Sequence, residues 1–410
     1  MVDFSMLNEG QLAIVNAAYD WYFGTNDPLF QYEGPPGTGK SLVMHFISKV
    51  LDPKGKISCA AAYTGAAAIV LRTKGFRDAR TLHSLLYNPV PTLVYDANGN
   101  VVTHDYFDNT PIYDIGFEPK AADGIKLLFI DEGGMVPRYI RDEIESRGIR
   151  VVAAGDLRQL PPVDEDPAYL VDGKIYHLTE IMRQEAGNAI IWLSDRIYNN
   201  LPIHKGLYGN VLVIEEDELT DRMIAAADVV LCGKNDTRDH INNRVRHNIL
   251  GIDSVLPLHG ERLVCRKNNW NKEVTGISLA NGLVGTVMNY PDVAGFDGKL
   301  FHVDFQPNIM RVPFTDLTVD YDYFTAPYQN RKILKNSRYN TGEKMEFAYA
   351  LTTHLAQGNE WSCGIYIQEY LNKDINNRLN YTGITRFRDK CIYVIPKQRK
   401  YYASNRKITG

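Results

Sequence analysis

Gly34-Pro35-Pro36-Gly37-Thr38-Gly39-Lys40-Ser41 is the stretch that decides the fold. It reads G-x-x-x-x-G-K-S, a spacing whose backbone N–H groups can cradle phosphate oxygens. Leu29-Phe30 and Tyr32 lead in as a strand, and Leu42 to Val50 lead out as a helix. The helix N-terminus adds partial positive charge at the same place. Lys40 is suited to reach β- and γ-phosphates, and the Ser41 hydroxyl to bind Mg2+. A plain Gly/Pro turn is the competing reading, but it does not explain why all four fixed positions of this eight-residue pattern fall between a strand and a helix.

The chain has 410 residues and a net charge of -4. That length accommodates two to about four domains. The charge excludes a uniformly basic surface but not a locally basic channel. No apolar run approaches the ~20 residues that span a bilayer, so no membrane partner is expected. Met1 to Gly10 carries Asp3 and Glu9 and does not read as a secretory signal. Cys59, Cys232, Cys265, Cys363 and Cys391 form no C-x-x-C pair, so a reducing, cytoplasmic setting is expected. The basic stretch from Lys397 to Gly410 reads as a solvated end or a phosphate contact.

Before the loop, Leu7 to Tyr22 has helical spacing, with Leu12, Val15, Ala18 and Tyr19 on one face. The Gln11 amide there could pair with adenine, although an exposed helix glutamine is the commoner case. Lys56 to Ala62 is a second strand, ending at Thr64-Gly65. These residues could touch a phosphate backbone beyond the strand ends, or Thr64 could simply cap a helix. His83 follows in Thr81-Leu82-His83. Pro89, Pro91 and the Asn98-Gly99 pair signal an inserted hairpin, with Tyr95, Tyr106 and Phe107 as stacking candidates.

Lys126 to Ile130 is a buried-strand run closed by Asp131-Glu132. An acid there can hold Mg2+ and a second can activate water. Arg150 to Ala154 leads into Gly155-Asp156-Leu157-Arg158-Gln159-Leu160-Pro161-Pro162-Val163. Gln159 could orient water or sense a γ-phosphate. Arg183, in Leu178 to Gln184, could stabilise phosphoryl-transfer charge.

Taken in order, these motifs resemble the superfamily-one helicases of the RecD-like branch, Dda-type DNA helicases in particular. Gly34–Ser41 looks like motif I, Tyr63–Ala68 like Ia, Thr81–His83 like Ib, and Asp131–Met135 like II. Gly155–Val163 looks like III and Leu178–Gln184 like IV. Farther on, Asn281-Gly282-Leu283-Val284-Gly285 resembles a RecD-like turn. Thr353, His354, Gln357 and Gly358 match motif V, and Tyr381–Arg386 resembles motif VI.

The resemblance implies an α/β fold of two RecA-like P-loop NTPase domains with parallel sheets and two small β-rich insertions. The expected divisions are 1–187, with a hairpin at about 88–122, and 188–410, with an SH3-like insertion at about 290–345. It implies catalysis by Lys40, Glu132, Gln159, Arg183 and the arginine finger Arg386. ATP would be held by Gln11, Gly34, Pro35, Pro36, Gly37, Thr38, Gly39, Lys40, Ser41, Asp131 and Gly358, and Mg2+ by Ser41 and Asp131. Nucleic acid would meet Thr64, Gly65, His83, Asn281, Thr353 and His354.

The implied activity is ATP-dependent 5′-to-3′ movement on single-stranded DNA, by a monomer, with unwinding of forked or tailed duplexes. Replication, repair or recombination is the implied setting, with single-strand-binding or replication proteins as partners and a phage as a source. No residue demonstrates polarity. A translocase that strips proteins without unwinding, and a nucleotide-switched binding module, are the alternatives. A small-molecule kinase leaves everything after Gly155 unexplained. Departures from the family pattern are Leu355 and Ala66, where lysines are usual, and Gly133-Gly134 after the acids.

Overall fold

The computed structural model describes residues 3–95, 100–102, 114–120, 124–162, 165–182, 187–275, 277–291, 293–294, 299–335, 342–371 and 375–397. Its first sheet has six strands in the order Ile175–His177, Leu29–Glu33, Arg150–Gly155, Leu127–Asp131, Ser58–Ala62, Arg80–Thr81. Every neighbouring pair is parallel. Parallel strands covered on both faces read as continuous apolar runs, and Leu127 to Ile130 are accordingly all buried. The loop strand Leu29–Glu33 lies inside the sheet, so Gly34–Ser41 emerges at its carboxyl edge, where ligands bind in open α/β sheets.

The N-terminal helix, Glu9–Gly24, starts on a capping box between Asn8 and Gln11. Its buried face is Gln11, Ile14, Val15, Ala18 and Trp21. Tyr19, expected on that face, is exposed. The indole of Trp21 needs the position because it packs on Phe30 of the loop strand, with rings 5.6 Å apart.

The second sheet runs Gly206–Tyr208, Val211–Glu215, Phe387–Ile395, Trp361–Ile367, Val229–Cys232, Ala350–Thr352, parallel except for its first pair. Helix Asn376–Ile384 lies tight against it. A Cβ on Gly383 would stand 1.9 Å from the Tyr366 ring, so glycine permits the approach that sets the direction of Arg386 just beyond.

A third sheet is antiparallel: Val293–Ala294, Leu300–Pro307, Val284–Val287, Arg262–Cys265, Met345–Phe347, with Phe314–Asp320 paired to Leu300–Pro307. Alternation is strict in Leu300–Pro307, where Phe301, Val303 and Phe305 point inward. This sheet takes in Arg262–Cys265 and Val284–Val287, both outside the expected 290–345. Short apolar strands carry no mark of which sheet they join, and pairing decides it.

The expected hairpin is a two-part ribbon. Val94–Tyr95 pairs with Val101–Val102, and a longer ladder joins Tyr87–Thr92 to Asp114–Pro119. Pro89 and Pro91 sit in that ladder at alternate positions, tolerated because a two-stranded ribbon needs only one edge of each strand. Asn98-Gly99, Tyr106 and Phe107 lie outside the described residues, as does 398–410 of the basic tail. All five cysteines are free thiols. Among the described residues no helix is long and apolar enough to cross a membrane.

Candidate active site

Gly37 and Gly39 turn the loop through the left-handed region, at φ +80° and +79°. A side chain on Gly39 would also collide with Gln11, whose Nε2 would lie 2.5 Å from its Cβ. Gln11 is buried, and its amide is engaged at both ends. Nε2 donates to Thr38 O at 2.9 Å, and Oε1 accepts from Asn8 N–H at 3.1 Å. One donor of Nε2 thus braces the loop backbone and one lone pair of Oε1 the helix cap. Thr38 is buried too, its hydroxyl donating to Pro35 O at 2.8 Å. Lys40 Nζ donates to Gly34 O at 2.6 Å and Pro35 O at 3.2 Å.

A cleft of about 580 Å3 opens in front of the loop. Pro36, Gly37, Gly39, Lys40, Ser41, Asp131, Glu132 and Gln159 line one wall, and Arg386 lies on the other. Gly34 is not on that wall: a Cβ there would meet Thr38 Oγ1 at 2.7 Å and Leu178. Pro35 faces an adjoining groove with Trp192 and Tyr208.

Glu132 takes φ 55°, a left-handed conformation costly for a non-glycine residue and typical of functional turns. Its backbone N–H donates to the Asp131 carboxylate at 3.0 Å. Burial pushes the Glu132 carboxyl above its ordinary range; Arg386 pulls it back and Asp131 pushes it further up. A raised carboxyl is what a general base near neutral pH requires. Arg386 Nη1 stands 3.7 Å from Glu132 Oε1, and its Nε donates to Thr382 O at 3.2 Å. The buried Oε1 of Gln159 has no hydrogen-bond partner among the described residues, so it is available to a ligand or water in the cleft. Arg183 lies outside the described residues.

Ser41 and Asp131 bring a hydroxyl and a carboxylate to the same cleft, the hard oxygen donors that Mg2+ takes alongside phosphates and water. No cluster of three or more His, Cys, Asp or Glu side chains suited to a metal occurs among the described residues. Sequence reasoning missed Lys74. Its Nζ donates to Ser41 Oγ at 3.1 Å, across 33 positions of chain, and no local spacing could have signalled it.

The string Gly155 to Pro162 is latched to the helix before Arg386. Tyr381 OH donates to the Asp156 carboxylate at 2.6 Å, and Leu160 N–H to Thr382 Oγ1 at 2.9 Å. Two hydrogen bonds thus tie the turn carrying Gln159 to the helix that precedes Arg386.

The expected nucleic-acid residues fare differently. Thr64 caps the helix Gly65–Thr73, accepting from Ala67 N–H at 3.2 Å. Gly65 is buried, with Ala280 Cβ only 2.6 Å from where its own Cβ would be. Gly358, expected at the nucleotide, instead packs on that cap: at φ +82°, its Cβ would stand 2.5 Å from Thr64 Oγ1. Thr353 is fully buried and its hydroxyl donates to Cys232 O at 3.2 Å, which removes it from any contact surface. Asn281 is exposed beside Gly282, with its N–H donating to Asn268 Oδ1 at 2.7 Å. His354 is half-buried, and burial lowers its pKa. His83 sits among aromatic rings, Nε2 at 3.0 Å from Tyr139 OH. Leu355 and Ala66 are both buried, so the missing lysines correspond to apolar packing positions.

A second cleft, of about 440 Å3, lies between helix Gly65–Thr73, Thr81, Ser84 and the hairpin Asn269–Leu279. Arg72, Arg77, Arg80 and Lys120 line it against Asp78 and Glu273, four bases to two acids.

Residues 6–204 match the AAA domain family. The ATP-dependent RecD2 DNA helicase of Deinococcus radiodurans is 26% identical over 384 residues, covering 87% of this chain and 45% of that protein. The chain thus spans about half the length of that curated relative. A Pif1 helicase from Bacteroides, solved with ADP-AlF3 and single-stranded DNA, superposes with a TM-score of 0.53 at 18% identity, covering 96% of this chain and 92% of that one. The Pif1 pair solved at forked duplex DNA gives 0.55 at 20% identity over the same shares. Pif1 from Candida albicans gives 0.52 at 18%, covering 96% and 94%. The fold is the one these Pif1 helicases share. The resemblance read from the motifs is borne out at that level, and two RecA-like sheets with β-rich additions are what the architecture contains. The closer likeness to Dda-type helicases rests on the motifs alone.

Proposed function

We propose that the chain is an ATP hydrolase that moves along single-stranded DNA, 5′-to-3′, and opens duplexes at forks or tails. The observation that carries the reading is Arg386. It comes from the second sheet's side of the cleft and reaches Glu132 beside the phosphate-binding loop. An arginine delivered across a cleft ties hydrolysis to the spacing of the two walls, which is how NTP turnover becomes motion. The proposed domains are 1–187 and 188–410, which divide the chain between those walls.

In this mechanism Lys40 leaves the loop carbonyls for the β- and γ-phosphates. Ser41 and Asp131 would hold Mg2+, which neutralises phosphate charge when bound. Glu132 takes the proton of the attacking water, Gln159 orients that water, and Arg386 stabilises charge on the γ-phosphate. The latch through Tyr381 and Thr382 carries the change to the Gly155–Pro162 turn. Single-stranded DNA would run over the carboxyl edge of the first sheet, along the basic cleft, with the ribbon at 87–119 as the separating element. A reducing cytoplasm suits the five free thiols.

The test is ATPase turnover with and without single-stranded DNA, followed by unwinding of 5′- and 3′-tailed duplexes. Stimulation, with unwinding of the 5′-tailed substrate only, is expected. Stimulation without unwinding would replace helicase by translocase, and absence of turnover would leave a nucleotide-switched module. Shortening the hairpin at Asn98-Gly99 should spare stimulation and lose unwinding.

A further inference from the structure

We propose that Tyr63, Phe117 and Tyr139 form a stacking platform, assembled around His83, for the bases of single-stranded nucleic acid at the root of the ribbon. This rests on the functional reading above and names where bases, as opposed to phosphates, are gripped. His83 is the hub. Its ring centroid lies 5.6 Å from Tyr63, 6.1 Å from Tyr87, 6.0 Å from Phe117 and 6.3 Å from Tyr139. Four separate elements supply these rings: the end of strand Ser58–Ala62, helix Leu82–Leu86, the ribbon, and helix Arg138–Ser146. Such convergence is ordinary inside a core, but here Phe117 is 43% and Tyr139 44% exposed. Two large rings are thus held at the surface against the half-buried rings of Tyr63, His83 and Tyr87, which lowers the further entropic cost on binding.

Electrostatics select bases over phosphates at this spot. Burial lowers the His83 pKa, so the ring is neutral at physiological pH and offers no counter-charge. Glu165 is close enough to act on both Tyr63 and Tyr139, while at Tyr87 the charge of Glu143 is offset by Arg147. A phosphate would be repelled there, whereas a base face is not. From the same short helix and its cap, Ser84 and Thr81 line the cleft in which bases outnumber acids four to two. Helix Leu82–Leu86 therefore separates a cationic track for the backbone from an aromatic shelf for the bases, the pairing that binds single strands without sequence preference. His83, expected to meet nucleic acid, orders the platform in this proposal.

The experiment compares binding of a fluorescein-labelled oligothymidylate with a strand of equal length whose central sugars are abasic. It uses the full chain, Phe117→Ala with Tyr139→Ala, and the ring-preserving Tyr139→Phe, with circular dichroism to confirm folding. Stacking on an aromatic contributes roughly 1–3 kcal/mol per base. The parent chain and Tyr139→Phe should therefore prefer the intact strand by about tenfold or more, and the double variant should lose that preference while keeping its affinity for the abasic strand. Equal binding of both strands by the parent chain would overturn the platform and leave the helicase reading standing. So would a double variant that weakens equally on both strands. A parent chain that binds neither strand would overturn the functional reading, and the platform with it.

Discussion

Replacing Arg386 by alanine tests the transfer of charge across the cleft. Its Nη1 is 3.7 Å from Glu132 Oε1, and only 5% of its side chain is exposed. An arginine on the γ-phosphate is worth about 10³–10⁵ in turnover in related phosphoryl transfers, or roughly 4–7 kcal/mol at 1.36 per decade. The ground state offsets part of this. The ion pair with Glu132 must loosen when phosphate enters, and the Glu132 side chain is 24% exposed, so that cost is on the order of 1 kcal/mol after solvent screening. The net expectation for Arg386→Ala is a fall in kcat of about 10²–10⁴, with ATP still bound. Arg386→Lys, keeping charge on a shorter reach, should fall between.

A second effect has a definite sign. Arg386 lowers the Glu132 pKa against burial, so its loss leaves that pKa higher still. The base form is the deprotonated one, and the acid limb of the kcat profile should therefore move to higher pH. Steady-state ATPase with saturating single-stranded DNA, across pH, reads both effects. Turnover within about tenfold of the parent chain, with an unmoved acid limb, would refute the assignment of Arg386 to the γ-phosphate.

Glu132→Gln should bind ATP with little change, by equilibrium dialysis, and hydrolyse it at least ~10²-fold more slowly, the usual share of a general base. Tyr381→Phe removes a 2.6 Å bond to the buried Asp156 carboxylate. Hydrogen bonds to charged groups contribute about 1.5–3 kcal/mol, so amide exchange across the Gly155–Leu160 turn should rise by roughly ten- to hundredfold. Unchanged exchange there would mean that the latch does not hold the turn. Gly358→Ala at φ +82° should cost about 1–3 kcal/mol and lower the melting temperature, because the new methyl meets the Thr64 cap. A neutral result would show that the two halves do not stay in this contact in solution.

What the sequence by itself determined was local. The loop works through the backbone geometry of consecutive residues, so Gly34–Ser41 was legible as a string, glycines included. The Asp131-Glu132 pair was legible because a buried parallel strand shows as an unbroken apolar run ending in charge. The order of motifs then carried the two RecA-like sheets. What only the tertiary structure decided was which of two chemically plausible jobs each polar side chain performs. Gln11 has an amide suited to adenine but spends both ends on the loop and the helix cap. Thr353 is buried with its hydroxyl on Cys232 O of the neighbouring strand, and Gly358 faces the Thr64 helix cap, 294 positions earlier in the chain. Lys74 meets Ser41, and Tyr381 meets Asp156, over separations of 33 and 225 positions. Hydrogen-bonding capacity is a property of the residue, but its partner is set by which segments the packing of the sheets brings within 3 Å or so, and no periodicity or spacing in the chain encodes that.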